Sequence, residues 1–418
     1  MASADRPLRI ALLAYRGKPH CGGQGIYVRH LSKALVDLGH SVEVFGGPPY
    51  PELDPRVKLT KLPSLEIYND YFPMRQPGLW ELKNWKDWLE VSTFTLGTFP
   101  EPLAFTMRAW DELKHRKDDF DIVHDNQSLG FGLLLIEREG LPVIATIHHP
   151  ITVDRRLEIE HAQGLLKKLN LMRWYAFTDM QTEVARRLKR VITVSENSFK
   201  DINADHKVPT DRMHIVPVGV DPELFLPVED VKRTPGMIIT TASADVAMKG
   251  LRYLLEAVAK LRTERPDVTL TVIGKAKPGG ESARTIDELG LADAVTFVSG
   301  VEDQRIVELY SEAEVAVVPS LYEGFSLPAI EAMSCAIPLV ATTGGAVPEV
   351  VGPDNETAFL VPPGDSGALA SKIAHVLDHP KVAARVGAAG RQRVIDHWSW
   401  RHTAERTVDE YRALLEQR

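Results

Sequence analysis

Short apolar runs that alternate with stretches of helical periodicity constrain the fold of this chain more than any other feature. Residues 9–15 form a nearly continuous apolar run, as expected of a parallel strand that is buried on both faces. Apolar residues then recur at helical spacing between residues 26 and 38, Gly39 ends that helix, and residues 42–45 indicate a second strand. This βαβ unit predicts an α/β fold with a parallel sheet.

The alternation continues through both halves of the chain. At 418 residues the chain exceeds the size of most single cores, so we predict two Rossmann-like, doubly wound domains, 1–217 and 218–397. The Pro- and Gly-containing residues 217–222 indicate the linker. Two such domains facing each other would enclose a central cleft at the carboxyl ends of their strands, where we expect the chemistry. The further predicted strands are 121–124, 142–147, 191–194, 237–241, 268–273, 295–298 and 315–318, and the further helices begin at 196, 251 and 306.

Residues 51–120 interrupt this pattern with a segment rich in proline and aromatic side chains. We interpret the segment as an excursion over the edge of the first sheet. Its composition fits irregular packing and an acceptor-binding surface equally well.

Composition excludes several classes of protein. The net charge of −8 gives no general attraction to nucleic acid, and the longest apolar stretch, residues 129–136, is far below the ~20 residues of a membrane-spanning helix. The two cysteines, Cys21 and Cys335, fall in different predicted domains and have no metal-ligand neighbours. We therefore expect reduced thiols, a cytoplasmic location and no metal site.

Residues 319–331 carry the most informative pattern: a strand end, a tight turn, and a helix with Pro328 in its first turn. Glu331 is placed to accept hydrogen bonds from ribose hydroxyls, or it is simply an acid near a helix start; Glu323 is a second candidate, or a solvated turn residue. A phosphate would bind the backbone N–H groups at the start of that helix. Those groups belong to Gly324, Phe325, Ser326 and Leu327.

Three other positions invite a similar interpretation. Lys249 opens a predicted helix, where a cation opposes the helix dipole, so it either lies beside a phosphate or is a solvated lysine tolerated at modest cost. His148 and His149 follow a strand at the carboxyl edge, so one of them faces a sugar or is a hydrogen-bonded structural residue. Gly22 and Gly23 either shape a turn or let the backbone approach phosphates.

With Glu323 and Glu331 set around Gly-Phe-Ser-Leu-Pro, the segment resembles the E-x7-E motif of retaining glycosyltransferases of family 4, which have the GT-B fold. Further matches follow in order over nearly the whole chain. They are Gly22-Gly23, Thr146-Ile-His148, Gly219-Val-Asp221, Met248-Lys-Gly250, Val272-Ile-Gly274 and Gly344-Gly345 through Glu349. Residues 398–418 match the C-terminal helix that completes the first domain in this fold.

The resemblance implies a UDP- or GDP-hexose donor, a retaining transfer and no dedicated metal or other cofactor. It assigns Glu331 to the ribose, Glu323 and His148 to the donor sugar, and Lys249 with the amides of residues 324–327 to the departing diphosphate. One departure is serious, because Ala244 stands where the family usually has arginine. Either Lys275 or Lys277, just after Gly274, replaces that cation, or the donor binds weakly or carries a different leaving group.

Several alternatives stay open. A phosphorylase or epimerase of the same fold, or a non-catalytic sugar-nucleotide-binding protein, would share most of these features. The acceptor is a small molecule, a glycan or a lipid-linked sugar. The basic and aromatic residues 165–190 fit a solvated helix face, or a peripheral contact with an anionic membrane at its inner face.

Overall fold

The chain divides into two compact units. This is a computed structural model, which describes residues 6–17, 23–68, 75–162, 164–228, 231–242 and 246–417. One unit comprises Met1–Val194, Ser198–Val216 and Thr403–Arg418, and the other comprises Ser195–Asn197 and Pro217–His402.

The N-terminal unit is built on a seven-stranded sheet in which every neighbouring pair of strands is parallel. Its order is β3-β2-β1-β4-β5-β6-β7. The strands are β1 Arg9–Ala14, β2 Ser41–Gly46, β3 Lys58–Lys61, β4 Ile122–Asn126, β5 Val143–Ile147, β6 Val191–Thr193 and β7 Met213–Ile215. The helices are α1 Gly23–Asp37, α2 Trp85–Thr95, α3 Glu101–Leu113, α4 Gly132–Arg138, α5 Ile151–His161, α6 Leu165–Trp174, α7 Phe177–Arg187 and α8 Glu196–His206.

The segment interpreted as an excursion, residues 51–120, contains regular structure. Its strand β3 extends the sheet by pairing in parallel with β2. On α3, Phe105, Ala109 and Leu113 are buried in the core of the unit. Irregular packing is therefore the wrong description of this segment, whose described residues form one edge strand and two α-helices that its proline and aromatic residues obscured in the sequence.

The C-terminal unit has a six-stranded, all-parallel sheet in the order β10-β9-β8-β11-β12-β13. Its strands are β8 Met237–Thr241, β9 Thr269–Ile273, β10 Val295–Val298, β11 Val315–Val318, β12 Leu339–Thr342 and β13 Phe359–Val361. Its helices are α9 Leu251–Arg262, α10 Glu281–Glu288, α11 Asp303–Glu312, α12 Leu327–Ser334, α13 Val347–Val351, α14 Ser366–Asp378 and α15 Pro380–His397, and α16 Trp400–Glu416 follows. The predicted α/β fold with two doubly wound sheets is confirmed.

The last helix returns to the N-terminal unit, which includes the chain from Thr403 onward. Tyr411 on α16 is fully buried, and its hydroxyl lies 2.6 Å from Nδ1 of His124 at the centre of the N-terminal sheet. Arg190, just before β6, also forms an ion pair with Glu410 on α16. The final turns of the chain are thus part of the N-terminal core.

Both sheets have a point where the strand order reverses, between β1 and β4 in one unit and between β8 and β11 in the other. Connections from neighbouring strands leave in opposite directions there, which opens a crevice at the carboxyl ends of the strands. The segments that follow β8 and β11 carry Lys249 and Glu323, and those that follow β4 and β5 lead to Gln127 and His148. The fold therefore brings Lys249 and Glu323 to the switch point of the C-terminal sheet, whereas His148 follows β5, the strand beside the switch point of the N-terminal sheet. Among the described residues, no helix has the length and apolar character needed to cross a bilayer.

Candidate active site

Backbone contacts fix the distance between the loops that carry Lys249 and Glu323. The amide of Leu321, after β11, donates to the carbonyl of Met248, after β8, at 2.8 Å. Gly250 adopts a left-handed conformation with φ of 66°, and a Cβ there would lie 2.0 Å from the carbonyl oxygen of Pro319. Only glycine fits such an approach, so Gly250 holds the two loops against each other.

Lys249 and Glu323 form an ion pair at the switch point. Nζ of Lys249 lies 2.9 Å and 3.0 Å from the two carboxylate oxygens of Glu323, and Oγ of Ser320 donates to the nearer one at 2.6 Å. The side chain of Glu323 is 10% exposed, whereas that of Lys249 is 33% exposed. An anion beside Lys249 is thus present in the protein itself, and a third of the lysine side chain remains exposed.

The Gly344-Gly345 turn after β12 braces Glu323 from the other side. Gly345 has φ of 64°, and a Cβ there would lie 2.3 Å from the carbonyl oxygen of Glu323. The same carbonyl accepts a hydrogen bond from the amide of Ala346 at 2.9 Å. Sequence reasoning missed this brace and Ser320, although a serine two residues after a buried strand was a signal for the latter.

The start of α12 offers unpaired main-chain donors. Ser326, at φ of 88°, precedes the helix, and its carbonyl accepts from the amides of Ala329 and Ile330. Among the described residues, the amides of Phe325, Ser326 and Leu327 donate to no acceptor, and the buried Oγ of Ser326 has no partner either. Such a helix start favours an anion. Gly324 belongs to the same turn but takes part in a further interaction, so its amide is not counted among the unpaired donors.

Glu331 lies one turn into α12 and is partly buried. Burial, with a smaller effect of the Asp303 charge, raises the pKa of its carboxyl to about 7. No hydrogen bond or ion pair holds this carboxyl among the described residues. Tyr310 lies nearby, where burial and then the Glu331 charge raise its pKa well above the ordinary value, and its hydroxyl lies 3.0 Å from Oγ1 of Thr241. Glu331 is a carboxylate able to accept hydrogen bonds from a bound polyol.

The remaining donor-site predictions are the glycines, and Lys275 as the replacement for the missing arginine. A Cβ on Gly274 would lie 2.0 Å from the carbonyl of Ala242, and its amide donates to Val298, so close strand packing accounts for this glycine. Lys275 is exposed. Gly23 begins α1, while Gly22 and Ala244 lie outside the described residues.

In the N-terminal unit, the hydrogen-bond partner of the His148 ring fixes which of its two nitrogens carries the proton. Its Nε2 lies 2.8 Å from Oδ1 of Asn126, whose Nδ2 donates to the carbonyl of Gln24 at 3.1 Å. Because an amide oxygen only accepts, Nε2 of His148 carries the proton. Burial, then the nearby His149, lowers the pKa of His148 to about 3. The ring is therefore neutral, and its Nδ1 is left with a lone pair.

A buried hydrogen-bond chain supports His148 from beneath. The ring of Tyr27 on α1 meets the His148 ring edge to face, with centroids 4.7 Å apart. The Tyr27 hydroxyl lies 3.0 Å from Oγ1 of Thr146, which lies 2.7 Å from Nε2 of His124. His149, in contrast, contacts Asp154 at 3.0 Å. Of the two adjacent histidines, His148 is thus the one built into the sheet edge.

The C-terminal unit therefore presents three kinds of group in the segments that follow β8 and β11. They are the cation of Lys249, the three main-chain donors of residues 325–327 and the carboxyl of Glu331. This set suits an anionic diphosphate joined to a hydroxylated ring. In the described part of the chain, no group of three or more His, Cys, Asp or Glu side chains is arranged to hold a metal ion.

Comparison with known proteins agrees with this architecture. Residues 21–224 match the family model described as Glycosyltransferase Family 4, and residues 227–393 match Glycosyl transferases group 1. The solved structure of sucrose-phosphate synthase from Thermosynechococcus elongatus superposes with a TM-score of 0.75 at 26% identity, covering 99% of this chain and 100% of that one. Fold and site thus define a GT-B glycosyltransferase.

Sequence relatives give the family. The chain is 50% identical over 409 residues to the MMP alpha-(1->4)-mannosyltransferase of Mycolicibacterium hassiacum, with 98% of each chain covered. It is 26% identical to the D-inositol 3-phosphate glycosyltransferase of Streptomyces scabiei, covering 98% of this chain and 92% of that one. The chain belongs to glycosyltransferase family 4, as the E-x7-E resemblance predicts.

Proposed function

We propose that this glycosyltransferase moves a mannosyl group from a nucleoside diphosphate mannose to a sugar hydroxyl, with retention of anomeric configuration. The observation that carries the proposal is the 50% identity to an alpha-(1->4)-mannosyltransferase across both units. That likeness covers 98% of each chain, so it includes both the family 4 region, residues 21–224, and the group 1 region, residues 227–393. The linkage in that relative's name makes a 4-hydroxyl the first acceptor position to test.

The donor binds the C-terminal unit in this proposal. Glu331 accepts hydrogen bonds from the ribose, while Lys249 and the amides of Phe325, Ser326 and Leu327 bind the diphosphate. Glu323 contacts the sugar and keeps Lys249 in place. The ion pair between Lys249 and Glu323 supports this division of roles, because Glu323 is nearly buried while a third of the Lys249 side chain stays exposed.

The transfer breaks the bond between the sugar C1 and the leaving phosphate oxygen and forms a bond from C1 to the acceptor oxygen. The acceptor proton passes to the leaving phosphate on the same face of the sugar, which preserves the configuration without a protein nucleophile. Negative charge grows on the diphosphate during this step, and a preorganised cation with amide donors stabilises it. We propose that these groups act without a metal ion.

Calorimetric titration with UDP, GDP, ADP and NAD, in the presence of EDTA, tests the donor class first. We expect one nucleoside diphosphate to bind with micromolar affinity. Incubation with the matching nucleotide-mannose and oligomannoside acceptors, followed by NMR of the product, should then show an α linkage. Absence of nucleotide binding, a requirement for free phosphate, or a β-linked product would contradict the proposal.

A further inference from the structure

Helix α2 has the reverse of the usual amphipathic pattern. Its acids Asp87 and Glu90 are 6% and 1% exposed, whereas the side chains of Trp85 and Trp88 are 50% and 54% exposed. The buried acids form ion pairs with Arg108 on α3, at 2.8 Å and 2.7 Å. A globular helix ordinarily buries its large apolar side chains, so the outward tryptophans of α2 require an explanation beyond folding.

Helix α6 adds a second set of exposed apolar side chains. None of its ten residues is buried. Nη2 of Arg173, in its last turn, donates to the carbonyl of Leu96 at 2.8 Å, which joins α6 to the end of α2. We call the combined feature the apolar-basic surface. Its apolar members are Leu79, Trp80, Trp85, Trp88, Leu96, Leu165, Leu166, Leu169 and Met172, all between 46% and 83% exposed.

The charged side chains of α6 have one sign. Helix α6 contains Lys167, Lys168 and Arg173 and no acid, and Lys83 is exposed just before α2. Asp87 and Glu90 of α2 are buried against Arg108, and Glu81 pairs with Arg75 at 2.7 Å. A positive surface on a chain with a net charge of −8 is a local feature. It attracts an anionic partner.

We propose that the apolar-basic surface docks on an anionic lipid bilayer. Tryptophan, leucine and methionine side chains insert at the boundary between headgroups and acyl chains, while flanking lysines contact lipid phosphates. A second copy of the chain fits less well, because a two-fold contact would set the same lysines against each other. The docking surface lies wholly within the N-terminal unit.

Flotation of the full-length protein with vesicles tests this proposal. Phosphatidylcholine vesicles that contain phosphatidylglycerol should carry the protein at low salt, and phosphatidylcholine alone should not. Lys167→Gln with Lys168→Gln should weaken binding to the anionic vesicles by about 25-fold, since each lysine near such a surface contributes about 5-fold. Leu166→Gln with Leu169→Gln should weaken it by at least about tenfold, because both side chains are exposed and their loss removes only inserted apolar area.

Lys200→Gln with Lys381→Gln is the matched control, since both lysines are exposed and lie outside the surface. This variant should float like the original protein, and thermal unfolding should be unchanged in all three. No flotation at low salt, or equal flotation of the lysine variants, would overturn the proposal. It would also be overturned by a stable dimer in light scattering that the leucine substitutions convert to monomer.

Discussion

The carboxylate of Glu323 binds Lys249 with both of its oxygens, across 74 residues of sequence, at 2.9 Å and 3.0 Å. Lys249 ends a single 3-10 turn and Glu323 lies in a loop, so neither residue belongs to an α-helix. Their loops meet because β8 and β11 are neighbours and because Gly250 permits close contact with Pro319. The pairing of Lys249 with Glu323 therefore depends on which strands are neighbours in the sheet. Substitutions around this pair should separate effects on nucleotide binding from effects on catalysis.

Lys249→Ala should lower kcat by about 100- to 1000-fold and change nucleotide affinity much less. The lysine stabilises charge that develops on the leaving diphosphate, and such a donor contributes mainly in the transition state. Steady-state kinetics and calorimetric titration of the same preparation measure the two effects. Lys260→Ala on α9, whose exposed side chain contacts Ser366, is the control. Unchanged kcat with weaker nucleotide binding would refute the role.

Gly345→Ala should reduce both stability and activity more than the same change at Gly290. Both glycines have φ near 65°, but a Cβ at Gly290 meets nothing within 4 Å, whereas at Gly345 it meets the Glu323 carbonyl. Gly290→Ala should therefore cost only the left-handed strain, about 1 kcal/mol. Gly345→Ala should lower the unfolding temperature more than Gly290→Ala does, and it should lower kcat by at least about tenfold. Equal effects would mean that the brace has no influence on Glu323.

Glu331 should make stability depend on pH between about 4.5 and 7. Its folded pKa of about 7 is raised above the ordinary 4.5, so the folded protein retains a proton that the unfolded chain has lost. Stability must then fall as pH rises through this window and level off above it. Glu331→Gln removes this pH dependence. The difference in free energy of unfolding between Glu331→Gln and the original protein should therefore shift in favour of the variant by about 3 kcal/mol from pH 4.5 to pH 8.

Denaturant unfolding at several pH values measures this dependence, with the exposed Glu356→Gln as the matched control. Glu331→Gln should also weaken nucleoside diphosphate binding, because a neutral amide accepts hydrogen bonds from ribose less strongly than a carboxylate. A pH profile shared by the original protein and Glu331→Gln would show that another group titrates there.

Asn126→Asp should turn the neutral ring of His148 into an imidazolium at pH 7. The introduced carboxylate would lie beside Nε2 and raise the histidine pKa, whereas Asn126→Ala leaves the ring neutral. Nitrogen NMR of labelled histidine reads the state directly: a proton on Nε2 alone in the original protein, and protons on both nitrogens in Asn126→Asp. A proton on Nδ1 in the original protein would contradict the assignment, whatever the activity of the variants.

Sequence periodicity predicted the strands well where they are continuous apolar runs. Residues 237–241, 295–298 and 315–318 form strands with the predicted bounds. Helix α10 escaped notice because most of its eight residues are polar, and β12 and β13 were not predicted. Short elements carry too few residues for a period to emerge.

The site was only partly predictable for a different reason. Glu323 and Glu331 share one motif, so their spacing was visible in the sequence. The partnership of Lys249 with Glu323, and the brace from Gly345, depend on which strands become neighbours. Local sequence does not contain that information. Tyr27 and Asn126 likewise gain their meaning only when α1, β4 and β5 meet around His148.

The contact between Tyr411 and His124 sets an order for biosynthesis. A ribosome completes the seven strands of the N-terminal sheet roughly two hundred residues before it reaches α16, because the other unit lies between them. During that interval the buried face around His124 lacks its tyrosine partner and stays open to water or to chaperones. The N-terminal unit, which leaves the ribosome first, therefore completes its core last.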